Sequence, residues 1–423
     1  MKYILLPICL LVVFASRAQI PDHIYAGNIR SLKFNVYGNQ LAYPVWTLNS
    51  TDQMELNFDD MDANVKNYSY TYQLCNADWS PAMLSQFDYI KGFSQMRLNN
   101  YRISSIALTK YTHYQAMLPD RSCLPSRSGN YLLKVFLDGD TSRVVFTRRL
   151  LVVTQQVTIP AQIQQPFNGQ FFKTHQKIQF SVNVSKLNLV NAMQQVSVTI
   201  LQNNRWDNSL RNVRPTFVRQ GTLEYNTETD CLFPGGREWR WLDLRSFRLQ
   251  SDRVENANYA SNGTQIFVKP DLDRSQQRFV FYRDNNGMFY NGVTESINPL
   301  WQADFANVSF RFVPPGNVPL PGKDIYLFGE LSNYGETGKM TFNEQSGMYE
   351  TSLFLKQGYY DYAYITTNTG GGNPSFEITE GNFWDTENNY TILVYYRPLG
   401  GRADELIGFT RISSLMGRQG IGF

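Results

Sequence analysis

The sequence predicts an all-β protein made of three consecutive β-sandwich domains. Three observations support this class. Aromatic residues make up 14% of the 423 residues, with 26 Tyr and 28 Phe. Short alternations of apolar and polar residues recur along the chain, and long helical periodicity is nearly absent. Aromatic and β-branched side chains pack well on a pleated, half-buried surface, and short strands separated by turns are typical of sandwiches.

The first 18 residues have the organisation of a secretory signal peptide. Lys2 provides the positive charge, an apolar core runs from Ile4 to Phe14, and Ser16 and Ala18 place small residues at the cleavage positions. The apolar core is too short to span a bilayer. We therefore expect cleavage after Ala18 and an exported chain without a transmembrane span.

Charge excludes one class of partner. Removal of residues 1–18 takes Lys2 and Arg17 with it and leaves 37 basic against 36 acidic side chains. A nucleic-acid-binding protein normally carries a basic excess, so this class is not expected. Cys75, Cys123 and Cys231 remain after cleavage. Their odd number argues against a disulfide framework and leaves a Cys75–Cys123 bridge open.

Strand patterns are clearest in the middle of the chain. Residues 178–184, 196–200 and 308–312 alternate strictly between apolar and polar side chains, as half-buried strands do. Residues 131–137 and 143–153 flank a Gly-containing turn and predict a hairpin.

A single local helix is predicted. Ser80 is a suitable N-cap, and Met83, Leu84, Phe87 and Ile90 would fall on one helical face.

Proline and polar stretches suggest the domain boundaries. Residues 153–166 carry two prolines, and residues 314–322 carry four, so neither stretch suits a helix or a strand ladder. The predicted division is residues 1–18 signal peptide, 19–155 N-terminal sandwich, 156–315 middle sandwich, 316–400 C-terminal sandwich and 401–423 C-terminal extension.

No catalytic, metal or cofactor site is predicted. The three histidines, His23, His113 and His175, are far apart in sequence, and no neighbour lies at metal-ligand spacing. Nucleotide-binding and hydrolase motifs are absent from the sequence. Aspartates in β-proteins are commonly turn formers rather than catalytic pairs. The acidic residues concerned are Asp59, Asp60, Asp62, Asp138 and Asp140.

One segment is rich in arginine and tryptophan, the residue types favoured at binding hot spots. It permits two interpretations: a partner interface, or cation–π and ion-pair contacts that seal a sandwich edge. The residues concerned are Arg205, Trp206, Arg237, Trp239, Arg240 and Trp241.

The chain resembles the type IX secretion system plug protein family over almost its full length. The motifs include LNFDDM (56–61), CNADW (75–79), LQNNRWDN (201–208), FPGG (233–236) and GYYDY (358–362). Their order and spacing carry the resemblance.

The resemblance implies a function. Such proteins are periplasmic, lie at the inner face of the outer membrane and bind the periplasmic opening of a giant translocon barrel of the Sov/SprA type, closing its pore. It implies no catalytic residue and no cofactor, and homo-oligomers are not expected.

The C-terminal part also resembles early-set Ig-like modules related to glycogen-binding domains, through residues 324–331, 340–343, 347–351 and 358–362. A periplasmic glycan-binding module is therefore the alternative function, with Trp384 as the stacking platform. A glycosidase would require an acidic pair across one cleft.

Overall fold

The computed structural model describes residues 20–415, and strands dominate them, which confirms the all-β class. The predicted signal peptide, residues 1–18, lies outside the described residues, as do residues 416–423 of the predicted extension. The two α-helices of the described part are four residues long, far too short for a membrane crossing.

The N-terminal domain (residues 20–154) is a sandwich of two antiparallel sheets. One sheet has the order β1-β3-β8-β7 and the other β2-β11-β10-β4-β6, while β5 and β9 form a small ribbon. Strand β2 alone joins its neighbour in parallel. The strands are β1 (Ile29–Val36), β2 (Val45–Thr47), β3 (Met54–Asp60), β4 (Tyr68–Cys75), β5 (Ile90–Gly92), β6 (Met96–Arg97), β7 (Asn100–Ile103), β8 (Thr112–Leu118), β9 (Cys123–Pro125), β10 (Gly129–Leu137) and β11 (Val144–Val153).

Aromatic side chains join the two sheets of this domain. Phe58 of β3 lies with its ring centroid 5.1 Å from that of Phe146 of β11 and 5.2 Å from that of Tyr68 of β4. Edge-to-face contacts of this kind add to the hydrophobic effect of burying each ring. The predicted hairpin is confirmed, since β10 and β11 pair in antiparallel fashion.

The middle domain is discontinuous in sequence. Residues 155–235 form one sheet, β12-β13-β17-β16 with β18 on β13, and half of a second. The second sheet, β15-β14-β29-β30, is completed by strands that follow 150 residues later in the chain. The elements are β12 (Ala161–Gln164), β13 (His175–Asn183), α1 (Ala192–Gln195), β14 (Val196–Gln202), β15 (Leu210–Arg211), β16 (Phe217–Arg219), β17 (Thr222–Tyr225), β18 (Leu232–Pro234), and, at the C-terminal end, β29 (Asn389–Tyr396) and β30 (Glu405–Ser413).

The inserted domain (residues 236–386) lies between the two parts of the middle domain. One sheet is centred on β28, which pairs with β19, β23 and β25, and the other has the order β20-β21-β24-β27-β26 with β22 on β24. The elements are β19 (Arg240–Asp243), β20 (Val254–Ala260), β21 (Gly263–Val268), β22 (Asp271–Leu272), β23 (Phe289–Asn291), α2 (Pro299–Gln302), β24 (Phe305–Val313), β25 (Lys323–Phe328), β26 (Thr341–Asn343), β27 (Met348–Lys356) and β28 (Gly358–Asn368). Short 3-10 turns occupy Gln86–Asp88, Pro315–Asn317 and Glu330–Ser332.

The predicted boundary at 315/316 is wrong. Phe310 and Phe312 of β24 share one buried core with Ile325 and Leu327 of β25. The proline-rich stretch carries the chain from one sheet of the inserted domain to the other. A proline-rich stretch cannot pair with a neighbouring strand, and such a stretch can connect two sheets of one domain as well as two domains.

The predicted order of consecutive domains is also wrong. Strand β29, placed in the C-terminal sandwich 316–400, pairs with β14 of the middle domain from Val196↔Tyr396 to Gln202↔Tyr390. Strand β30, placed in the extension 401–423, pairs with β29. Apolar alternation locates a strand but does not say which distant strand it pairs with.

The predicted helix at Ser80 is wrong as well. The structure has only the 3-10 turn Gln86–Asp88, and Met83 and Phe87 are 82% and 87% exposed. Ile90 is buried and Leu84 packs against the core, while Met83 and Phe87 point to solvent, so the four residues do not form one buried face that would stabilise a longer helix.

Ile407 tests the role of β30. Its side chain is fully buried in the middle core, so Ile407→Ala should lower the free energy of unfolding by about 2–5 kcal/mol. Arg411→Ala, on an exposed position of the same strand, is the matched control and should change it little. Urea denaturation measures both, and equal effects would contradict the placement of β30.

Candidate functional site

The loop after β14 brings the three domains together. Asn203 and Asn204 both adopt positive φ, 53° and 58°, which Asn tolerates better than most residues. Asn203 is fixed by Asn388, whose Oδ1 accepts a hydrogen bond from Asn203 Nδ2 at 2.8 Å. Arg205 and Trp206, which follow, contact different domains.

Trp206 joins the middle domain to the N-terminal domain. Its ring meets that of Trp79 edge-to-face at 5.0 Å, and its Nε1 donates to the Tyr43 hydroxyl at 2.8 Å. The Arg149 guanidinium lies 4.7 Å and 4.9 Å from the centroids of the Trp79 and Trp206 rings. A cation held between two indoles is a favourable contact when it is shielded from water.

Arg205 joins the middle domain to the inserted domain. Its guanidinium lies 4.7 Å from the Phe328 ring centroid and 5.1 Å from that of Phe376, and it pairs with Asp207. Arg205 is 4% exposed. We call Arg205, Trp206 and their partners Tyr43, Trp79, Arg149, Phe328 and Phe376 the Arg/Trp junction.

A cavity of about 340 Å³ lies at this junction, with walls from all three domains. Five cations and four carboxylates line it, and most of them pair with one another. Lys33 binds Glu330 at 2.7 Å, and Arg149 binds Asp22. The walls are therefore nearly neutral. The charged lining residues are Lys33, Arg148, Arg149, Arg205, Arg211, Asp22, Asp207, Glu330 and Glu336.

Arg240 is the centre of a buried network in the inserted domain. It binds Glu380 at 3.0 Å and Asp271 at 2.8 Å, and Arg274 also pairs with Glu380. Burial lowers the pKa of Arg240, but the charges of Glu380 and Asp271 outweigh this effect and raise the pKa well above its usual value. Arg240 stays charged, and its role is to tie strands together.

Arg237 and Trp239 are buried in the same domain. Arg237 donates to the carbonyl oxygens of Arg274 and Arg278. Trp239 packs against Phe328 and Phe376. Trp239 therefore touches the same two rings as Arg205, which joins the two halves of the Arg- and Trp-rich segment in space.

Two of the predicted tryptophans are only half-buried. Trp241 meets Tyr282 edge-to-face at 5.2 Å, with Arg253 over its ring. Trp384 lies where the chain returns from the inserted domain to the middle domain. There its backbone N–H donates to Lys173, and its carbonyl accepts from Gln176. The structure thus places Trp384 at an interdomain connection.

Five of the six Arg and Trp residues of the predicted interface are buried and engaged in internal contacts. Arg205, Trp206, Arg237, Trp239 and Arg240 are 8% exposed or less. Such residues have little surface to offer to a partner.

Two buried lysines join the N-terminal and inserted domains, and sequence reasoning missed them. Lys33 donates to Glu330 and to the carbonyl of Phe289. Lys356 donates to Asp59 at 2.7 Å. The available signal was a lysine directly beside large apolar residues, Lys33 between Leu32 and Phe34 and Lys356 after Leu355, because a lysine drawn into a core requires a buried partner.

Asp59 contacts His113 as well as Lys356. Its second oxygen lies 2.7 Å from His113 Nδ1. Burial lowers the pKa of Lys356 and of His113, although Asp59 opposes both shifts. This acidic residue is therefore an interdomain contact, and it is not a turn former as expected.

Asp284 and Asp361 are a buried acidic pair. Burial raises the pKa of Asp284 to about 7 and raises that of Asp361 well above its usual value, with Asp284 adding to the shift. Their oxygens accept hydrogen bonds from backbone N–H groups of Trp239, Asn285 and Asn286. Neither residue lines the junction cavity. The pair holds the backbone of a loop. It does not lie across the junction cavity as a glycosidase's acidic pair would.

Residues 20–415 contain no group of three or more His, Cys, Asp or Glu side chains placed to hold a metal ion. The three histidines lie apart: His23 pairs with Glu336, His113 with Asp59, and His175 contacts Thr174. Cys75, Cys123 and Cys231 are buried free thiols.

Comparison with known proteins gives one family match. Residues 29–154 match the family described as type 9 secretion system plug protein 1st domain. No curated protein matches the chain.

Solved structures also align with the chain. The chain is similar to a hypothetical protein from Parabacteroides merdae ATCC 43184, with 28% identity and a TM-score of 0.89 over 94% of this chain and all of that one. Trypsin-activated alpha-2-macroglobulin from Escherichia coli aligns with 9% identity and a TM-score of 0.17 over 93% of this chain and 30% of that one.

Lys356 tests the interdomain charges. Lys356→Met leaves Asp59 buried beside an apolar side chain, so the free energy of unfolding should fall by about 3–5 kcal/mol. The double variant Asp59→Asn, Lys356→Met removes both charges and should regain part of the loss. Lys339→Met breaks an exposed pair with Asp324 and should have no measurable effect. Equal denaturation midpoints for Lys356→Met and Lys339→Met would contradict the role of Lys356.

The acidic pair predicts a pH dependence. Between about pH 4 and pH 7 the Asp284 carboxyl keeps its proton in the folded state and has lost it in the unfolded state. The free energy of unfolding should therefore fall as the pH rises through this range. The expected slope is about 1.4 kcal/mol per pH unit for each retained proton. Asp284→Asn should flatten the slope in urea denaturation between pH 5 and 7.

Asp243→Asn is the control for that slope. Burial alone would raise the pKa of Asp243, but hydrogen bonds from Arg245 lower it, so its contribution lies below pH 5. A wild-type slope in Asp284→Asn would show that the pair carries no extra proton.

Proposed function

We propose that this chain, whose residues 29–154 match the type 9 secretion system plug protein 1st domain, closes the periplasmic opening of an outer-membrane translocon barrel of the Sov/SprA type. The protein acts without catalysis or cofactor, in the periplasm, against the inner face of the outer membrane. The family match is the observation that carries this proposal, since it links the chain to a type IX secretion plug role.

The packing of the domains supports the proposal. A barrel wide enough to pass folded protein leaks unless something fills or covers its opening. A cap must then resist deformation across its whole width. The N-terminal, middle and inserted domains contact one another pairwise, through Trp206, Arg205 and Lys356. Such contacts favour one stiff body over three modules on flexible linkers.

The interior also supports a binding role. The buried arginines and carboxylates pair among themselves, and the junction cavity is nearly neutral. Recognition must therefore use the outer surface. A stable complex would bury on the order of 1,000 Å² or more there.

A genetic and biochemical experiment tests the proposal. Tagged wild-type chain, purified from native envelopes in mild detergent, should recover the giant barrel. Deletion of the gene should raise uptake of a large antibiotic several-fold, because the open pore admits it. Simultaneous deletion of the barrel should abolish that uptake.

A tagged, unrelated periplasmic protein is the purification control. Recovery of the chain without the barrel, or leakage that persists when the barrel is absent, would overturn the proposal.

A further inference from the structure

Residues 278–283, with the sequence RFVFYR, form an unusual segment of the inserted domain. Aromatic and β-branched residues predominate in it, and such residues favour strands. The segment nevertheless belongs to no helix, strand, turn or bend. We call it the unpaired segment.

The backbone of the unpaired segment has free donors. Among residues 20–415, none of its six N–H groups donates a hydrogen bond to protein. The carbonyl of Arg278 accepts from Arg237, but no neighbouring strand forms a ladder with the segment. A row of unpaired N–H groups on a strand-forming sequence is a template for pairing with another chain.

Side chains hold the unpaired segment in place. The Phe279 ring lies 5.4 Å from that of Phe383. The Tyr282 hydroxyl accepts from Arg274 at 2.8 Å and donates to the carbonyl of Glu238 at 3.1 Å. Because these contacts fix the segment before binding, a partner strand would lose less conformational entropy in docking to it.

Two adjacent side chains of the unpaired segment are apolar and exposed. Val280 is 60% exposed and Phe281 is 50% exposed. A hollow of about 320 Å³ lies beside it, lined in part by Tyr282, Trp241 and Leu272, and Leu272 is itself 59% exposed. An exposed apolar edge of this kind is a liability unless another chain covers it.

Charge indicates the chemistry of the partner. Arg278 and Arg283 bracket the apolar pair and are both exposed. Neither forms an ion pair with a carboxylate of residues 20–415, although the charge of Arg283 partly offsets the burial that raises the pKa of Glu387. Acidic side chains on either side of an apolar core would complement this arrangement.

We propose that the unpaired segment is a docking strand for an extended segment of the envelope partner, one that places apolar residues between acidic ones and pairs with the backbone of residues 278–283. This inference rests on the proposed function, because the partner is the one that the chain binds there. The inference assigns the contact with the partner to residues 278–283 and to hydrogen bonds of their backbone.

Amide hydrogen exchange tests the proposal. The full chain is measured alone and in the complex purified from native envelopes. Peptides covering residues 278–284 should exchange at least tenfold more slowly in the complex, because a partner strand supplies acceptors to their N–H groups. A loop covering residues 165–173, where Phe167 is 85% exposed, is the internal control and should not change.

A matched pair of variants accompanies the exchange measurement. Val280→Asp combined with Phe281→Asp should keep the wild-type melting temperature and reduce recovery of the complex at least tenfold. Ile297→Asp changes a residue of the same domain that is 93% exposed and should retain the complex.

Each outcome is decisive. An intact complex with unchanged exchange at residues 278–284 overturns this inference and leaves the proposed function standing. Absence of any complex with the wild-type chain overturns both. Protection that appears in the purified chain as its concentration rises would assign the segment to a second copy of this chain and overturn the assignment to the partner.

Discussion

The architecture depends on the return of the chain into the middle domain. Strand β29 pairs with β14 along seven residues, from Val196↔Tyr396 to Gln202↔Tyr390. Without β29 and β30 the second sheet of that sandwich would keep only β14 and β15, too few strands for independent stability. The second sheet of the middle domain is therefore complete only once the chain has passed through the whole inserted domain. Both ends of the inserted domain are attached to this one sandwich.

Electrostatics then restrict how the domains pack. Lys33, Lys356 and Arg205 lose most of their water on packing, and each finds a carboxylate or aromatic face. Burying a charge is costly, so such pairs contribute little net stability compared with apolar contacts. A shift of one domain against another would separate buried charges from their partners. We therefore regard these pairs as a reason for one arrangement of the domains over others.

Local patterns predicted much of the strand content and little of the long-range pairing. Residues 178–184 and 308–312 alternate in polarity, and all of them except Val184 lie in β13 and β24 as expected. The proline run before Lys323 predicts a linker, because sequence alone does not distinguish a crossing between sheets from a domain boundary. Arg205 and Trp206 were recognised as unusual, but their burial depends on Phe328 and Trp79, which are distant in the chain. Nothing in the composition of residues 278–283 indicates that their N–H groups lack a ladder.

The three domains should behave as one rigid body, and a distance distribution between spin labels tests this most directly. Labels would be placed at Ser142→Cys in the N-terminal domain and Gln345→Cys in the inserted domain, both exposed positions. The native cysteines should not react, since burial raises the pKa of the thiols of Cys75, Cys123 and Cys231 to about 12. Pulsed electron spin resonance should give a single narrow distance that does not change on binding the partner. A broad or multimodal distribution in the free protein would contradict the account.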